Sequence, residues 1–338
     1  MKAIVQHRYG SPDVLRLSEV DVPTPGDDEV LVRVRASSVN AYDWHAMRGD
    51  PYLSRLTFGL RRPTAPIRGQ DFAGRVEAVG RAVTRFRPGD EVYGEAGPAG
   101  GAFAEYVCVA ENLVAAKPAN LSFEQAAAIP LAATTALVCL RDAAELRAGQ
   151  HVLINGASGG VGTFAVQLAK AYGAQVTAVC RSRNVELVRS LGADHVVDYT
   201  REDFTRTDAV RAGRRYEVLL DLVGNRSLTD CRRVLTTDGT LLLSGGGVFT
   251  GGSVFGPMSM LIRGPLVGRF VRHRIVAPSA AAGRGHLATL RELAESGRLA
   301  PVIDRTYRLD EVPDAIRYVE TEHARAKVVI SIFSDNSR

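Results

Sequence analysis

Cysteine is scarce in this chain, and lysine is nearly displaced by arginine. Four cysteines (Cys108, Cys139, Cys180, Cys231) stand far apart in 338 residues, with no C-x-x-C spacing. That excludes a disulfide framework and a clustered zinc site, and suits buried free thiols in a reducing compartment. Lysine occurs only at positions 2, 117, 170 and 327, so the net charge of +5 rests on arginine. These arginines are scattered among acids, without a basic cluster carrying interleaved aromatics, which argues against nucleic-acid binding. The apolar stretch Ala126–Leu140 is interrupted by Pro130 and too short to span a membrane. A strand pattern begins at once over Lys2–Gln6 with no signal region ahead of it, so the expected location is cytoplasmic. The length allows two domains, and 46% hydrophobic with 23% charged residues is ordinary soluble usage.

What is present is concentrated in residues 151–163. Val152, Leu153 and Ile154 form a short apolar run, a glycine-rich turn follows, and Val161, Phe164, Ala165, Leu168 and Ala169 recur at helical spacing. The order reads strand, tight turn, helix, which lets backbone N–H groups face an anion. Two motifs overlap here. Gly156-Ala157-Ser158-Gly159-Gly160 satisfies the G-x-S-x-G of a hydrolase elbow, which would make Ser158 a nucleophile. Ala157, Gly159 and Gly162 instead occupy the three positions of the dinucleotide fingerprint, with alanine in the first. Gly162 favours the second reading, because close helix–strand packing requires it and an elbow does not. On that reading Ala157, Ser158, Gly159, Gly160, Val161 and Gly162 form the phosphate cradle.

About twenty residues on, the strand Gln175–Cys180 ends at Arg181-Ser182-Arg183-Asn184. An NAD enzyme would place an acid there for the ribose 2′-hydroxyl. Two arginines and a serine suit a 2′-phosphate, so the expected cofactor is NADP(H). Further βα units follow: a helix over Glu186–Leu191, a strand over Asp194–Tyr199, a strand over Glu217–Leu222 and another over Thr240–Ser244. Alternation of this kind implies a doubly wound parallel sheet with ligand at the carboxyl ends of its strands, where Tyr199, Val223, Gly245 and Gly246 fall.

Residues 1–120 read differently, as short β-rich runs (Glu29–Arg35, Arg75–Val79, Glu91–Tyr93, Ala104–Val109) between Pro/Gly turns. A helix is expected over Gly285–Gly297, and strand and helix return over Val302–Ile330.

Several motifs in order resemble one family: Ala36–Asn40, Gly69-Gln70-Asp71-Phe72-Ala73-Gly74, Pro88–Val92, Gly101–Tyr106, Ala157–Gly162 and Leu191-Gly192-Ala193-Asp194. Over essentially the whole chain they resemble the medium-chain dehydrogenase/reductases, in the zinc-independent quinone-oxidoreductase-like branch. The resemblance implies an α/β fold, a Rossmann domain (residues 123–278) joined to a GroES-like β-rich catalytic domain built from residues 1–122 and 279–338. It also implies NADPH as cofactor and a homodimer. Where zinc-dependent relatives carry a cysteine this chain has Asn40, and where they carry Gly-His-Glu it has Gly69-Gln70-Asp71. The third ligand position falls near Leu131. Without thiolate or imidazole, no metal is expected.

Lacking a Lewis acid, such a site suits a quinone or an α,β-unsaturated carbonyl better than an unactivated carbonyl. By resemblance Asn40, Asp43 and His45 line the substrate side. Tyr52 lies one residue beyond a tyrosine that donates a proton in related enoyl reductases. Asn40 and Asp43 could equally cap a helix starting here, and Trp44 suits packing. The resemblance carries Thr135 to the carboxamide end of the cofactor, Tyr199 to the adenosine phosphate or ribose, and Lys327 to the cofactor phosphates. Asp221 suits a structural role, since an acid would repel phosphate. The alternatives are an NADP-dependent alcohol dehydrogenase or biosynthetic enoyl reductase, a Ser158 hydrolase using Asp221 or Asp304 with His273, His286 or His323, and a non-catalytic NADPH sensor. No tyrosine has lysine four residues later, which disfavours a short-chain dehydrogenase.

Overall fold

The structure is a computed structural model and describes residues 1–245, 252–256, 258–279, 283–321 and 324–332. They fall into two compact units, the first taking residues 1–134, 252–254 and those from 283 onward, the second the remainder. The first boundary lies past the expected residue 122, because the helix Phe123–Ala127 packs on strands of the first unit.

In the first unit β1 (Lys2–Val5) and β2 (Arg16–Glu19) pair as an antiparallel ribbon. The main sheet comprises β3 (Glu29–Val39), β4 (Asp71–Val79), β5 (Glu91–Glu95), β6 (Tyr106–Ala110) and β7 (Val114–Ala116). The chain supplies β14 (Ile303–Arg308) and β15 (Lys327–Ser331) to it after leaving the second unit. Its order is β14-β15-β3-β4-β5-β7, with β6 also on β3. Val30, Val32, Val34, Phe72, Val76, Val92, Val107 and Val109 alternate inward to form the core of the sheet. β3 runs past the expected Arg35 through two buried serines. Ser37 Oγ donates to the Asp71 carbonyl at 2.6 Å and Ser38 Oγ to Asp71 Oδ2 at 2.7 Å, so their hydroxyls enter the interior partnered.

The second unit holds β8 (His151–Asn155), β9 (Gln175–Cys180), β10 (His195–Asp198), β11 (Tyr216–Asp221), β12 (Leu235–Leu243) and β13 (Arg274–Val276). Their order is β10-β9-β8-β11-β12-β13, every pairing parallel. Val152, Leu153 and Ile154 are 0% exposed, as a strand covered on both faces requires. The order reverses at β8, flanked by β9 on one side and β11 on the other. That reversal is where a doubly wound sheet opens a crevice at its carboxyl edge. Among the described residues no helix is long and apolar enough to cross a membrane.

Candidate active site and dinucleotide site

The glycine turn leaves β8 at this reversal. Gly156 has φ +90° and packs so closely on Val223 that a Cβ would lie 2.9 Å from Val223 Cγ2. A Cβ on Gly162 would stand 2.2 Å from the Gly156 carbonyl oxygen, so this position must be glycine for the helix to seat on the turn. Gly159 is different: a Cβ there would meet nothing nearer than 3.5 Å. It is the N-cap of the helix Gly160–Ala171, whose first N–H groups, on Gly160, Val161 and Gly162, have no carbonyl one turn back. A bare turn followed by such a helix end is built to receive an anion.

Ser158 lies beside this turn, and Asn184 Nδ2 donates to its Oγ at 2.9 Å. His273 Nδ1 accepts from Arg232 at 3.3 Å, Asp304 accepts from the Tyr318 hydroxyl, and His323 lies outside the described residues. Among the described residues no histidine or carboxylate is hydrogen-bonded to Ser158. Asp221 is structural, as expected: its Oδ1 accepts from Asn155 Nδ2 and from the N–H groups of Val223 and Gly224, fixing the turn after β11.

Around that cradle, Arg181 is half-buried at the end of β9 while Ser182 and Arg183 are exposed. Ser182 spends its hydroxyl on Asp198, an acid at the end of β10 that sequence spacing did not reveal. Tyr199 is 44% exposed beside it, Gly245 turns with φ +98° against Leu222, and Thr135 is buried in the helix Pro130–Leu137. Gly246 lies outside the described residues.

The first unit contains a buried polar cluster. Asp71 is 0% exposed, and its Oδ2 accepts from Ser38 Oγ and, at 2.8 Å, from Asn40 Nδ2. Its Oδ1 accepts from the Leu131 N–H at 2.9 Å. Lys327 Nζ donates to Asn40 Oδ1 at 2.6 Å and reaches Asp71 Oδ2 at 3.3 Å and the Val39 carbonyl at 3.5 Å. The structure places Lys327, expected near the cofactor phosphates, among these buried groups. β15 pairs with β3 at Val328 and Val39, which delivers the preceding lysine into the carboxylate cluster, where its three donors are spent.

Asn40 is the N-cap of the helix Ala41–Arg48, and Asp43 Oδ2 accepts its N–H at 2.8 Å. Asp43 thus makes the N-cap contact that the capping alternative describes. Burial, with the Asp71 charge adding to it, pushes the Asp43 carboxyl up to about 7. Asp71 and Glu95 are cross-strand partners, and burial beside that second carboxylate raises Glu95 as well.

His45 stacks on Trp44, and its Nδ1 lies 2.7 Å from the Asp50 carbonyl. A carbonyl only accepts, so Nδ1 carries the proton and Nε2 offers a lone pair. Burial lowers its pKa, so at neutral pH this ring presents an acceptor. Trp44 is core, 4% exposed. Tyr52 is 47% exposed, its ring covered by Arg55, which also lies over Tyr9.

Sequence reasoning missed Arg68. It is 5% exposed, its Nε donates to Gln6 Oε1 at 2.9 Å, and its buried Nη2 has no partner among the described residues.

The fold and these sites define a dinucleotide-binding α/β unit joined in one chain to an antiparallel β-unit with a buried amide, ammonium and carboxylate cluster. Comparison gives it a family. Residues 26–119 match the alcohol dehydrogenase GroES-like domain and residues 191–330 the zinc-binding dehydrogenase family. An NADPH-dependent alkenal/one oxidoreductase of Arabidopsis thaliana is 36% identical, over 98% of this chain and 79% of its own length. The quinone oxidoreductase of Coxiella burnetii superimposes with TM-score 0.86 at 30% identity, over 98% and 99% of the two chains. The Escherichia coli quinone oxidoreductase complexed with NADPH gives 0.83 at 25%, over 98% and 100%. The chain belongs to the medium-chain dehydrogenase/reductase superfamily, in its quinone-oxidoreductase-like branch.

One feature of the family description does not fit this chain. Zinc wants thiolate and imidazole, whereas Asn40 and Gln70 offer neutral amides and Asp71 is already taken by four donors. Among the described residues no group of three or more His, Cys, Asp or Glu could hold a metal ion.

Proposed function

We propose that this protein is an NADPH-dependent oxidoreductase that transfers hydride to a quinone or an α,β-unsaturated carbonyl without a metal ion. The observation that carries the reading is the bare turn at Gly159, opening onto a helix N-terminus at the reversal of the parallel sheet. Relatives named NADPH-dependent alkenal/one oxidoreductase and quinone oxidoreductase support the substrate class.

When bound, the cofactor supplies the hydride. The N–H groups of Gly160 to Gly162 and the Ser158 hydroxyl hold its pyrophosphate. Arg181 and Arg183 take the 2′-phosphate, with Tyr199 against the adenosine ribose and Thr135, Val223 and Gly245 along the remaining length. On the substrate side Asn40 commits one amide hydrogen to Asp71 and keeps a second for the carbonyl oxygen. Lys327 fixes that side-chain amide through its oxygen, and Asp43 holds the backbone N–H of the same residue. Charge developing on an enolate or phenolate oxygen meets a donor already oriented, which lowers the barrier without reorganisation. The proton then comes from solvent, since His45 presents a lone pair.

We further propose a homodimer, supported by the three-residue edge strand β13, whose outer side has no partner strand among the described residues. We place the protein in the cytoplasm on its four free thiols, though some relatives carry chloroplastic names.

The test is a screen of quinones, enones, aldehydes and esters against chelator-washed protein, following NADPH absorbance. Quinone or enone turnover that survives chelation supports the reading. Turnover restored only by zinc, or confined to aldehydes, overturns it.

A further inference from the structure

The turn after β9 carries no acid of its own, but the neighbouring strand brings one to it. Cys180 and Asp198 are register partners on the parallel pair β9 and β10. Asp198 therefore closes the same edge from which Arg181 and Ser182 emerge. Its Oδ2 accepts the Ser182 hydroxyl at 2.5 Å, and its Oδ1 accepts the Thr200 hydroxyl at 2.7 Å and the Thr200 N–H at 3.0 Å. Arg201 Nε stands 3.5 Å from Oδ2. The Ser182 hydroxyl first, then Thr200 and Arg201, hold this carboxyl below its usual range, so it is an anion at neutral pH.

A serine hydroxyl has one proton. Here the Asp198 carboxylate at 2.5 Å takes that proton, with the Thr200 hydroxyl 3.0 Å from the same Oγ, and a phosphate can only accept. Ser182 has nothing to donate to a 2′-phosphate unless it gives up its charge-assisted bond. The phosphate is then left to Arg181 and Arg183, with a negative charge one serine side chain behind them. A 2′-hydroxyl is the opposite case, because it brings a proton that Ser182 Oγ or Asp198 can accept.

We propose that Asp198 is a specificity-determining residue of the cofactor site. Through Ser182 it sets a negative charge against the 2′-phosphate, trims the preference for NADPH, and keeps NADH a usable cofactor. The ligand class is thus an adenosine ribose with or without a 2′-phosphate. This rests on the reading that the ribose end of the cofactor lies against Arg181–Arg183.

The experiment is titration of the full chain with NADPH, NADH, 2′,5′-ADP and 5′-AMP. Asp198→Asn tightens NADPH and 2′,5′-ADP roughly tenfold while NADH and 5′-AMP move about threefold or less, the scale of one screened unit charge near a dianion. Ser182→Ala keeps the anion and shifts the NADPH to NADH ratio by about twofold or less. An unchanged ratio in folded Asp198→Asn overturns the proposal, while the same ratio collapsing in the Arg181→Ala, Arg183→Ala double variant shows the cofactor placement intact. A roughly tenfold loss of NADPH in Ser182→Ala also overturns it, because the hydroxyl would then serve phosphate. That variant decides the matter alone should Asp198→Asn fail to fold. Failure of the wild-type chain to bind either dinucleotide removes the cofactor reading, and this proposal with it.

Discussion

Lys327 and Asp71 meet in a buried ion pair, Nζ to Oδ2 at 3.3 Å, with 2% and 0% of their side chains exposed. Asn40 bridges them, accepting from the lysine and donating to the aspartate. The ammonium also restrains the upward shifts of Asp43 and Glu95. One of the four lysines in the chain thus balances three buried carboxyls.

Removing that lysine leaves Asp71 as an uncompensated buried charge. Lys327→Met is expected to cost about 3–5 kcal/mol of stability, and adding Asp71→Asn to recover much of it. Urea unfolding of the single and double variants checks this. If the double variant is as damaged as the single one, lost packing and not lost charge balance explains the cost.

Asp43 gives a pH signature. Its folded pKa of about 7 lies above the ordinary carboxylate value, so the folded state binds the extra proton between about pH 4 and pH 7. Stability contributed by the protonated carboxyl is complete below about pH 4 and is lost as pH rises through 7. Asp43→Asn cannot ionise. Relative to wild type it should gain on the order of 2–4 kcal/mol between pH 4 and pH 8, measured by urea unfolding at both. An equal difference at the two values would mean that Asp43 does not titrate in that window.

The parallel sheet was legible because its signals are local. Val152–Ile154, the glycine turn and the apolar spacing from Val161 to Ala169 lie within twenty residues, and β9 falls on the expected Gln175–Cys180. The polar cluster was not legible, because it depends on register between distant strands. Nothing in sequence spacing places Lys327 against Asn40, 287 positions away. Resemblance gave that lysine a place near the cofactor phosphates, and only the pairing of β15 with β3 reveals its contacts with Asn40 and Asp71. Asp198 escaped for the same reason, since spacing after β9 points only to the next loop. Arg68 sits in a segment with no motif to single it out.

The glycine turn separates two functions that a fingerprint treats alike. Gly162→Ala places a methyl 2.2 Å from the Gly156 oxygen and should destabilise the fold by about 1–3 kcal/mol. Gly159→Ala meets nothing nearer than 3.5 Å at φ −83°, so it should cost under about 1 kcal/mol. Its methyl nevertheless points where a phosphate must approach the backbone, and NADPH affinity should fall by about tenfold or more. Thermal unfolding and NADPH titration of both variants check this, and full NADPH affinity in Gly159→Ala would move the pyrophosphate off the turn.

Ser158 distinguishes the pyrophosphate from the ribose end. Its Oγ accepts from Asn184 Nδ2, which orients the hydroxyl proton away from that amide and toward the turn. A hydroxyl donating to a phosphate oxygen contributes about 1.5–3 kcal/mol, so Ser158→Ala should weaken dinucleotide binding by at least about tenfold. The pyrophosphate is common to both cofactors, so the loss should be equal for NADPH and NADH. Arg181→Ala with Arg183→Ala should instead weaken NADPH alone. Fluorescence titration of both variants with both cofactors separates the two ends of the site. A Ser158→Ala variant that discriminates between NADPH and NADH would place this hydroxyl at the ribose and require the cofactor to run the other way along the sheet.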